Sequence, residues 1–311
     1  MDRQRDHGGS LDAAVAKFGG HRKDWIDLST GINPLPYPVG PISQPAWTAL
    51  PDATAQTTLT NAAREYWNVP NDMSVLAAPG ASALIARLPG LWPVGRVDVP
   101  TPTYNEHAAA FSAHNWIEDA EAPLVRVLVH PNNPTGHWYH PADLSAPFTI
   151  IDESFADVSP ERSLIAQAAN GNCIVLKSFG KFWGLAGMRL GFAIGPSDLI
   201  ARLAEMLGPW PVSGPALEIG AVALQDFDWT NQTRKRLNTD AARLDALMMG
   251  AGAAVEGGTS LFRLYGVDDA KEWQVRLAKH RIWTRIFPYS KTFIRLGLPA
   301  PADWPRLEDA L

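Results

Sequence analysis

Short apolar segments typical of buried strands alternate with helix-like spacers between residues 75 and 194 of this 311-residue chain. The segments lie at residues 75–79, 97–100, 125–130, 148–152, 173–177 and 189–194. Two parallel strands need a long crossover between them, and that crossover is usually a helix. We therefore predict an α/β fold with a mainly parallel sheet, followed after about Pro196 by long helices and a smaller α+β segment.

The composition of the chain indicates which kinds of partner and which cellular compartment to expect. The formal net charge of −5 argues against a nucleic-acid partner and against binding to an anionic membrane. The chain lacks the run of about 20 apolar residues that a membrane helix needs. Its single cysteine, Cys173, rules out an internal disulfide and fits a reducing compartment. We expect a cytoplasmic protein in which Cys173 is a core residue.

The stretch VLKSFGKFWGLAGMRLG, residues 175–191, places one lysine among glycines at the end of a predicted buried strand. A loop lysine is usually a solvated charge. Here three polar groups follow the end of one predicted strand: the Lys181 amine, the Ser178 hydroxyl and the Arg189 guanidinium. This set suits a phosphorylated carbonyl compound held as a Schiff base. The Gly–Lys pair is not a nucleotide-binding P-loop, because Phe182 follows it in place of Ser or Thr.

Polar or aromatic residues follow several other predicted strands. The turn at residues 80–82 separates a strand from a helix, so it is either an ordinary turn or a set of backbone amides for a phosphate. Tyr104 is placed to stack on a planar ring, and Asn133 offers both a donor and an acceptor. Asp152 ends a strand, where ligands bind in open α/β sheets, and a buried carboxylate there needs a positive partner.

Two histidine-containing segments have weaker signals. His137 and His140 have the HxxH spacing but no obvious third ligand, so we predict no metal site. His7 and Gly8 precede a helix-like segment, so they either form its entry or fold a glycine-hinged imidazole over an anionic substrate.

Four separated motifs occur in a characteristic order: PGAS at 79–82, PTY at 102–104, NNPTG at 132–136, and DES at 152–154 with SFGKFWGLAGMRLG at 178–191. Together they resemble the pyridoxal-phosphate enzymes of the aspartate aminotransferase fold. HGGS at 7–10 and WIDLSTGINPLP at 25–36 narrow the resemblance to the threonine-phosphate decarboxylases of cobalamin biosynthesis. The histidinol-phosphate aminotransferases are the nearest relatives of that group.

The resemblance implies the fold type I architecture of pyridoxal-phosphate-dependent transferases. We expect a large domain at residues 40–205 with a mainly parallel seven-stranded sheet flanked by helices. A smaller α+β domain would comprise residues 1–39, including an N-terminal arm, and residues 206–311. The family also implies a homodimer.

The resemblance further implies roles for the residues above, with pyridoxal 5′-phosphate as the cofactor. Lys181 would bind it as a Schiff base, Asp152 would pair with its pyridinium nitrogen, and Tyr104 would stack on its ring. Asn133 would bond its phenolic oxygen. Its phosphate would be held by Gly80, Ala81, Ser82, Ser178 and Arg189.

The implied substrate is a small phosphorylated amino acid with two anionic groups. Arg295 would bind its carboxylate and Arg285 its phosphate. The residues expected to assist are His7, Gly8, Thr30 and Asn33.

Two positions depart from the pattern of related aminotransferases. Phe155 stands where many have a tyrosine that bonds the phenolic oxygen, so the Schiff base should have a less depressed pKa. Leu50 stands where a tyrosine often reaches the partner subunit's cofactor phosphate.

The expected reaction is decarboxylation of L-threonine O-3-phosphate to (R)-1-amino-2-propanol phosphate. The cofactor motifs alone do not distinguish it from transamination, so a histidinol-phosphate or aromatic aminotransferase is the alternative. A non-catalytic pyridoxal-phosphate-binding regulator is disfavoured, because the chain has no DNA-binding extension or basic patch.

Overall fold

The computed structural model describes residues 7–169 and 172–311. Within them the strands are β1 (Ile26–Asp27), β2 (Met73–Ala78), β3 (Arg96–Asp98), β4 (Ile117–Glu118), β5 (Val125–Val129), β6 (Phe148–Asp152), β7 (Cys173–Ser178), β8 (Gly191–Pro196), β9 (Ala254–Thr259), β10 (Phe262–Gly266), β11 (Ile282–Trp283), β12 (Arg285–Ile286) and β13 (Phe293–Gly297). The α-helices are α1 (Leu11–Phe18), α2 (Gln44–Thr48), α3 (Ala53–Tyr66), α4 (Ala81–Ile85), α5 (Asn105–Ala113), α6 (Ile165–Ala168), α7 (Ser197–Leu207), α8 (Gly214–Gln225), α9 (Phe227–Gly250), α10 (Ala270–Lys279) and α11 (Trp304–Ala310).

The larger of two compact units, residues 37–133 and 138–231, contains a seven-stranded sheet of order β2-β8-β7-β6-β5-β3-β4. The strands from β7 to β4 pair in parallel, and β8 is antiparallel to both of its neighbours. The predicted α/β fold with a mainly parallel sheet is therefore confirmed.

The central strands are buried on both faces, which explains why their sequences are continuous apolar runs. Ile150 of β6, with Ile174 and Leu176 of β7, lies in the main core at 0–1% exposure. The parallel register places Asp152 opposite Leu176. The carboxyl ends of β5, β6 and β7 thus meet at one edge, with the residues that follow them.

The unit boundaries fall at 36/37 and 231/232, whereas the sequence placed them at 39/40 and 205/206. The later second boundary has a packing reason, because α8 packs against α3 of the larger unit. At Gly220 of α8, a Cβ would lie only 2.6 Å from Leu190 Cδ2 and 2.9 Å from Leu59 Cδ1. The glycine therefore permits this close approach. Residues 134–137 group with the smaller unit.

The smaller unit comprises the described residues up to Pro36, residues 134–137 and residues 232–311. It contains an antiparallel sheet of order β12-β13-β10-β9 and the parallel pair β1-β11. Strand β9 was not expected, because its sequence AVEGGT is partly exposed and contains two glycines, which are rare in strands. None of the helices within the described residues is long and apolar enough to span a membrane.

Candidate active site

A cavity of about 110 Å³ lies at the carboxyl edge of the sheet in the larger unit. It brings together the predicted cofactor residues Ala81, Ser82, Tyr104, Asn133, Asp152, Ser178, Lys181 and Arg189. Gly80 immediately precedes the first of them and is the N-cap of α4. Residues more than 100 positions apart thus line one cavity, as their placement at strand ends predicts.

Asp152 is the buried acid of this cavity, at 3% exposure. Its Oδ2 lies 2.8 Å from His107 Nε2, and its Oδ1 accepts from the Ser154 amide at 3.0 Å and hydroxyl at 2.6 Å. Burial acts to raise the pKa of Asp152, but the His107 and Ser154 interactions outweigh burial and hold that pKa below its usual value. The carboxylate is therefore ionised and suited to a cationic ring nitrogen.

His107 is a site residue that the sequence pattern did not indicate. It lies on α5 at 1% exposure, and its ring is perpendicular to that of Tyr104, with the centroids 6.1 Å apart. An ionised carboxylate only accepts hydrogen bonds, so His107 Nε2 carries a proton and donates a hydrogen bond to Asp152. The available signal was the three-residue spacing after Tyr104, which places both side chains near one face at the start of a helix.

Strand β7 contains Lys177 and is followed by Lys181, and the two lysines have different surroundings. Lys181 lines the cavity, and its Nζ lies 5.3 Å from the centre of the Phe155 ring. Lys177 is 1% exposed, and its Nζ is 2.6 Å from Glu153 Oε2 and 3.3 Å from Asp157 Oδ1. Of these two lysines, Lys181 is therefore the one that lines the cavity.

The groups expected to hold a phosphate converge at the start of α4. Gly80 has a φ of +82°, and a Cβ on it would lie 2.5 Å from Arg189 Nη2. The Arg189 guanidinium also donates to the Ala186 carbonyl at 3.0 Å. The first amides of a helix have no intrahelical acceptor, so they are available to an anion beside this guanidinium.

Asn132 ties together two of the loops that line the cavity. Its Oδ1 accepts from the Thr103 hydroxyl at 2.6 Å, and its Nδ2 donates to the Pro102 carbonyl at 3.0 Å. The adjacent residues, Tyr104 and Asn133, both line the cavity. Asn132 therefore fixes their loops relative to each other, a role that the sequence pattern did not indicate.

In the smaller unit, Arg285 of β12 and Arg295 of β13 are directly opposite each other across the strand pair. Arg295 is 5% exposed and donates to the Ser29 carbonyl at 2.5 Å. Burial, and then the charge of Arg285, lowers the pKa of Arg295 to about 10. Two cations held this close form a natural site for anionic groups.

The predicted N-terminal substrate residues lie in the same unit. A Cβ on Gly8 would overlap the Ser29 carbonyl oxygen, and the Gly9 amide donates to Ser29 Oγ at 2.7 Å, so this segment lies against the loop that Arg295 also contacts. Thr30 is half-buried, and its carbonyl oxygen would collide with a Cβ on Gly297 of β13. His7 is exposed.

Asn33 is also in this unit, but it is 2% exposed. Its Oδ1 accepts from the Leu35 amide at 3.1 Å and from Arg236 Nη2 at 2.6 Å. The oxygen of Asn33 therefore organises its own loop, and Arg236 is a further partner that the sequence pattern did not indicate.

Residues 7–169 and 172–311 contain no group of three or more His, Cys, Asp or Glu side chains arranged to hold a metal ion. In the HxxH pair, His140 is exposed, and its amide donates to Asp143 Oδ2 at 2.7 Å. That hydrogen bond is part of the N-terminal cap of a short 3-10 helix, Pro141–Asp143.

Comparison with known proteins shows the family. The model of the aminotransferase class I and II family matches residues 114–310. A threonine-phosphate decarboxylase of Sinorhizobium sp is 40% identical, with 98% of this chain and 97% of that protein covered. The chain belongs to the aminotransferase class I and II family. Another threonine-phosphate decarboxylase, from Pseudomonas aeruginosa, is 39% identical over the same shares of the two chains.

Solved structures of this family share the fold. The histidinol-phosphate aminotransferase from Clostridium acetobutylicum matches with a TM-score of 0.78 and 17% identity, covering 91% of this chain and 97% of its own. The L-threonine-O-3-phosphate decarboxylase from Porphyromonas gingivalis matches with a TM-score of 0.76 and 18% identity, over the same shares. At these identities the likeness shows the fold and not the substrate.

The family is pyridoxal-phosphate-dependent, and the residues of the cavity fit that cofactor. Lys181 supplies an amine, Asp152 supplies a buried ionised carboxylate, and Tyr104 supplies an aromatic ring beside it. The Arg189 guanidinium beside Gly80 suits the cofactor's phosphate.

Proposed function

We propose that this chain is a threonine-phosphate decarboxylase, converting L-threonine O-3-phosphate to (R)-1-amino-2-propanol phosphate, the linker of the cobalamin nucleotide loop. The observation that carries the proposal is 40% identity to a threonine-phosphate decarboxylase over nearly the full length of both chains. The histidinol-phosphate aminotransferase of Mesorhizobium japonicum is only 25% identical over 93% of this chain.

The larger unit would hold pyridoxal 5′-phosphate in the roles that the resemblance implies. When bound, the cofactor accepts the electron pair left at Cα after a bond to Cα breaks. Asp152 would keep the ring nitrogen protonated, because its own pKa is depressed. Tyr104 and Asn133 would orient the ring, and the residues around Arg189 would anchor the phosphate.

The arginine pair of the smaller unit would bind the substrate's two anionic groups. We assign the carboxylate to Arg295 and the phosphate to Arg285, with His7, Gly8, Thr30 and Asn33 in support. In the reaction the bond from Cα to the carboxylate breaks and carbon dioxide leaves. Lys181, as an ammonium group, would then donate the proton that forms the new C–H bond at Cα and become a neutral amine, so atoms and charge balance.

The deciding experiment incubates the purified protein with pyridoxal 5′-phosphate and threonine phosphate, and measures carbon dioxide and keto acid separately. We expect stoichiometric carbon dioxide and aminopropanol phosphate. Keto acid formed without carbon dioxide would instead assign the chain to the aminotransferases. Lys181→Ala is the control, because it should abolish turnover while the protein remains folded.

We further propose that the protein works as a homodimer in the cytoplasm. Exposed apolar side chains in the larger unit, Trp47 at 64%, Leu50 at 67% and Val222 at 58%, support a second copy as the partner. Sedimentation equilibrium should give twice the chain mass of 33.8 kDa. A monomeric mass at micromolar concentration would contradict the proposal.

A further inference from the structure

A cluster of charged side chains lies buried in the larger unit, apart from the cavity residues. It consists of Lys177, Glu153 and Asp157, which are 1%, 1% and 3% exposed. Lys177 Nζ is 2.6 Å from Glu153 Oε2 and 3.3 Å from Asp157 Oδ1. We refer to these three residues as the buried charge network.

The network lies directly behind the cavity. Successive side chains of a strand point to opposite faces. Asp152 and Ser178 line the cavity, so the adjacent Glu153 and Lys177 point away from it. The Glu153 amide continues the strand ladder by donating to the Leu176 carbonyl at 2.9 Å. The ion pair therefore joins the ends of β6 and β7 at the point where two cavity residues emerge.

The charges of the network are held by further hydrogen bonds. Glu153 accepts from the Leu164 amide at 2.6 Å and the Ser163 hydroxyl at 2.7 Å. Burial acts to lower the pKa of Lys177, but the charges and hydrogen bonds of the two carboxylates outweigh burial and raise that pKa. The ammonium group therefore stays charged.

Stability alone does not account for three charged residues in this place. Removing charges from water costs several kcal/mol per ion, and replacing a buried ion pair by apolar side chains is often neutral or stabilising. The advantage that an ion network offers over apolar packing is directional: it fixes the geometry of the groups that it joins.

The network also reaches the loop that carries Lys181. Asp157 accepts from Trp183 Nε1 at 3.1 Å and from Trp67 Nε1 at 2.9 Å. Trp183 comes two residues after Lys181, and its ring is stacked on Phe179, at an interplanar angle of 8°. Asp157 thus holds this loop through an indole that is fully buried.

We propose that the buried charge network is a positioning device that sets Asp152, Ser178 and Lys181 for the cofactor. Its members act through their chain neighbours and through Trp183, without touching the cofactor. The inference rests on the proposed cofactor roles in the larger unit and is independent of which reaction the enzyme catalyses.

The first test removes the ion pair with the double variant Glu153→Gln/Lys177→Met, which keeps the net charge of the network at −1. That charge is on Asp157, which retains its hydrogen bonds from the Trp183 and Trp67 indoles. By analogy with residues that orient the ligands of metal sites, we expect cofactor affinity to fall about 10- to 100-fold. We also expect the pH midpoint of the bound cofactor's absorbance to shift. The control is Asp98→Asn/Arg126→Met, which removes a 2.7 Å ion pair between β3 and β5 of the same unit. It should change only the thermal midpoint.

Lower thermal stability with cofactor affinity and absorbance unchanged would overturn the proposal, because it would assign the network to stability alone. Affinity is measured with pyridoxal 5′-phosphate alone. A wild-type protein that binds the cofactor but releases no carbon dioxide would therefore reject the proposed function and leave this test valid.

A matched pair of single variants serves if the double variant fails to fold. Trp183→Phe and Trp67→Phe each remove one indole N–H from Asp157 without changing any charge. Of these two tryptophans, only Trp183 lies in the loop that carries Lys181. We therefore expect Trp183→Phe to slow the covalent attachment of the cofactor, measured by reduction with borohydride. Trp67→Phe should attach cofactor at the wild-type rate. Equal effects of both variants, or no effect of either, would contradict the proposal.

Discussion

The hydrogen bond between His107 and Asp152 joins two residues that are at most 3% exposed. His107→Leu removes an interaction that lowers the pKa of Asp152, so that pKa should rise. The carboxylate must be ionised to pair with a cationic ring nitrogen, so the acid limb of the kcat profile should move to higher pH. A hydrogen bond to a buried charged group contributes about 1.5–3 kcal/mol, so kcat on the acid limb should fall by roughly 10- to 100-fold.

His114→Asn is the matched control for this variant, because His114 is an exposed residue at the end of the same helix. Its pH profile should coincide with that of the wild type. An unchanged acid limb in His107→Leu would show that Asp152 remains ionised without the imidazole.

Phe155 supports a prediction about the bound cofactor. Its ring lies 5.3 Å from Lys181 Nζ, so Phe155→Tyr would bring a hydroxyl donor to the reacting side of the cavity. A donor to the cofactor's phenolic oxygen stabilises the deprotonated form. We therefore expect the pH midpoint of the bound cofactor's absorbance to be lower in Phe155→Tyr than in the wild type. Titration of both proteins measures this, and an equal or higher midpoint in the variant would refute it.

At the scale of strands and loops, the sequence predicted the cavity well because its residues follow apolar runs. Asp152 and Ser178 each end a strand whose burial on both faces makes it visible in the sequence. His107 was missed because its three-residue spacing after Tyr104 is informative only once a helix is known to begin there. Strand β9 was missed because its two glycines are required by close backbone contacts and not by strand propensity. Gly257 is required by the close approach of Thr135, and Gly258 by that of Phe262 in β10.

The strand pair β12-β13 supplies the prediction on substrate binding. Arg285→Gln should raise KM for threonine phosphate by roughly 10- to 100-fold, since it removes a charge-assisted contact to the phosphate. It should also reduce the preference for threonine phosphate over threonine. Arg295→Gln should weaken the binding of both substrates, because both carry the carboxylate.

Steady-state kinetics with the two substrates measures this difference, with the exposed Arg22→Gln as a control that should change neither. Loss of the phosphate preference in Arg295→Gln, and its retention in Arg285→Gln, would reverse the assignment of the two arginines.

At the scale of the whole molecule, the fold class followed from the order of apolar segments, whereas the boundaries of the units did not. Boundaries depend on which surface a helix covers. The sequence of helix α8 indicates that it belongs to the smaller domain predicted at residues 206–311. Its small residues, such as Gly220, instead let it pack on α3. Such contacts between distant segments have no signature within either segment.

His130 links the stability of the whole molecule to pH. It is 1% exposed, its Nδ1 accepts from the Tyr139 amide at 3.1 Å, and its Nε2 lies 2.8 Å from the Arg162 carbonyl oxygen. Because Nδ1 accepts, Nε2 carries the proton and the ring is neutral. Burial lowers the pKa of His130. A charged ring would have to give up the bond from Tyr139.

The sign of the pH effect follows from this lowered pKa. Below the unfolded-state pKa of about 6.5, the unfolded chain binds a proton that the folded chain does not, so the free energy of unfolding falls as the pH decreases. His130→Gln cannot bind that proton, so its stability should change less between about pH 7.5 and pH 5.5. Urea unfolding across this pH range measures the change in the free energy of unfolding for both proteins. The control is His140→Gln, because His140 is exposed. An equally steep loss of stability in His130→Gln would place the acid sensitivity at another group.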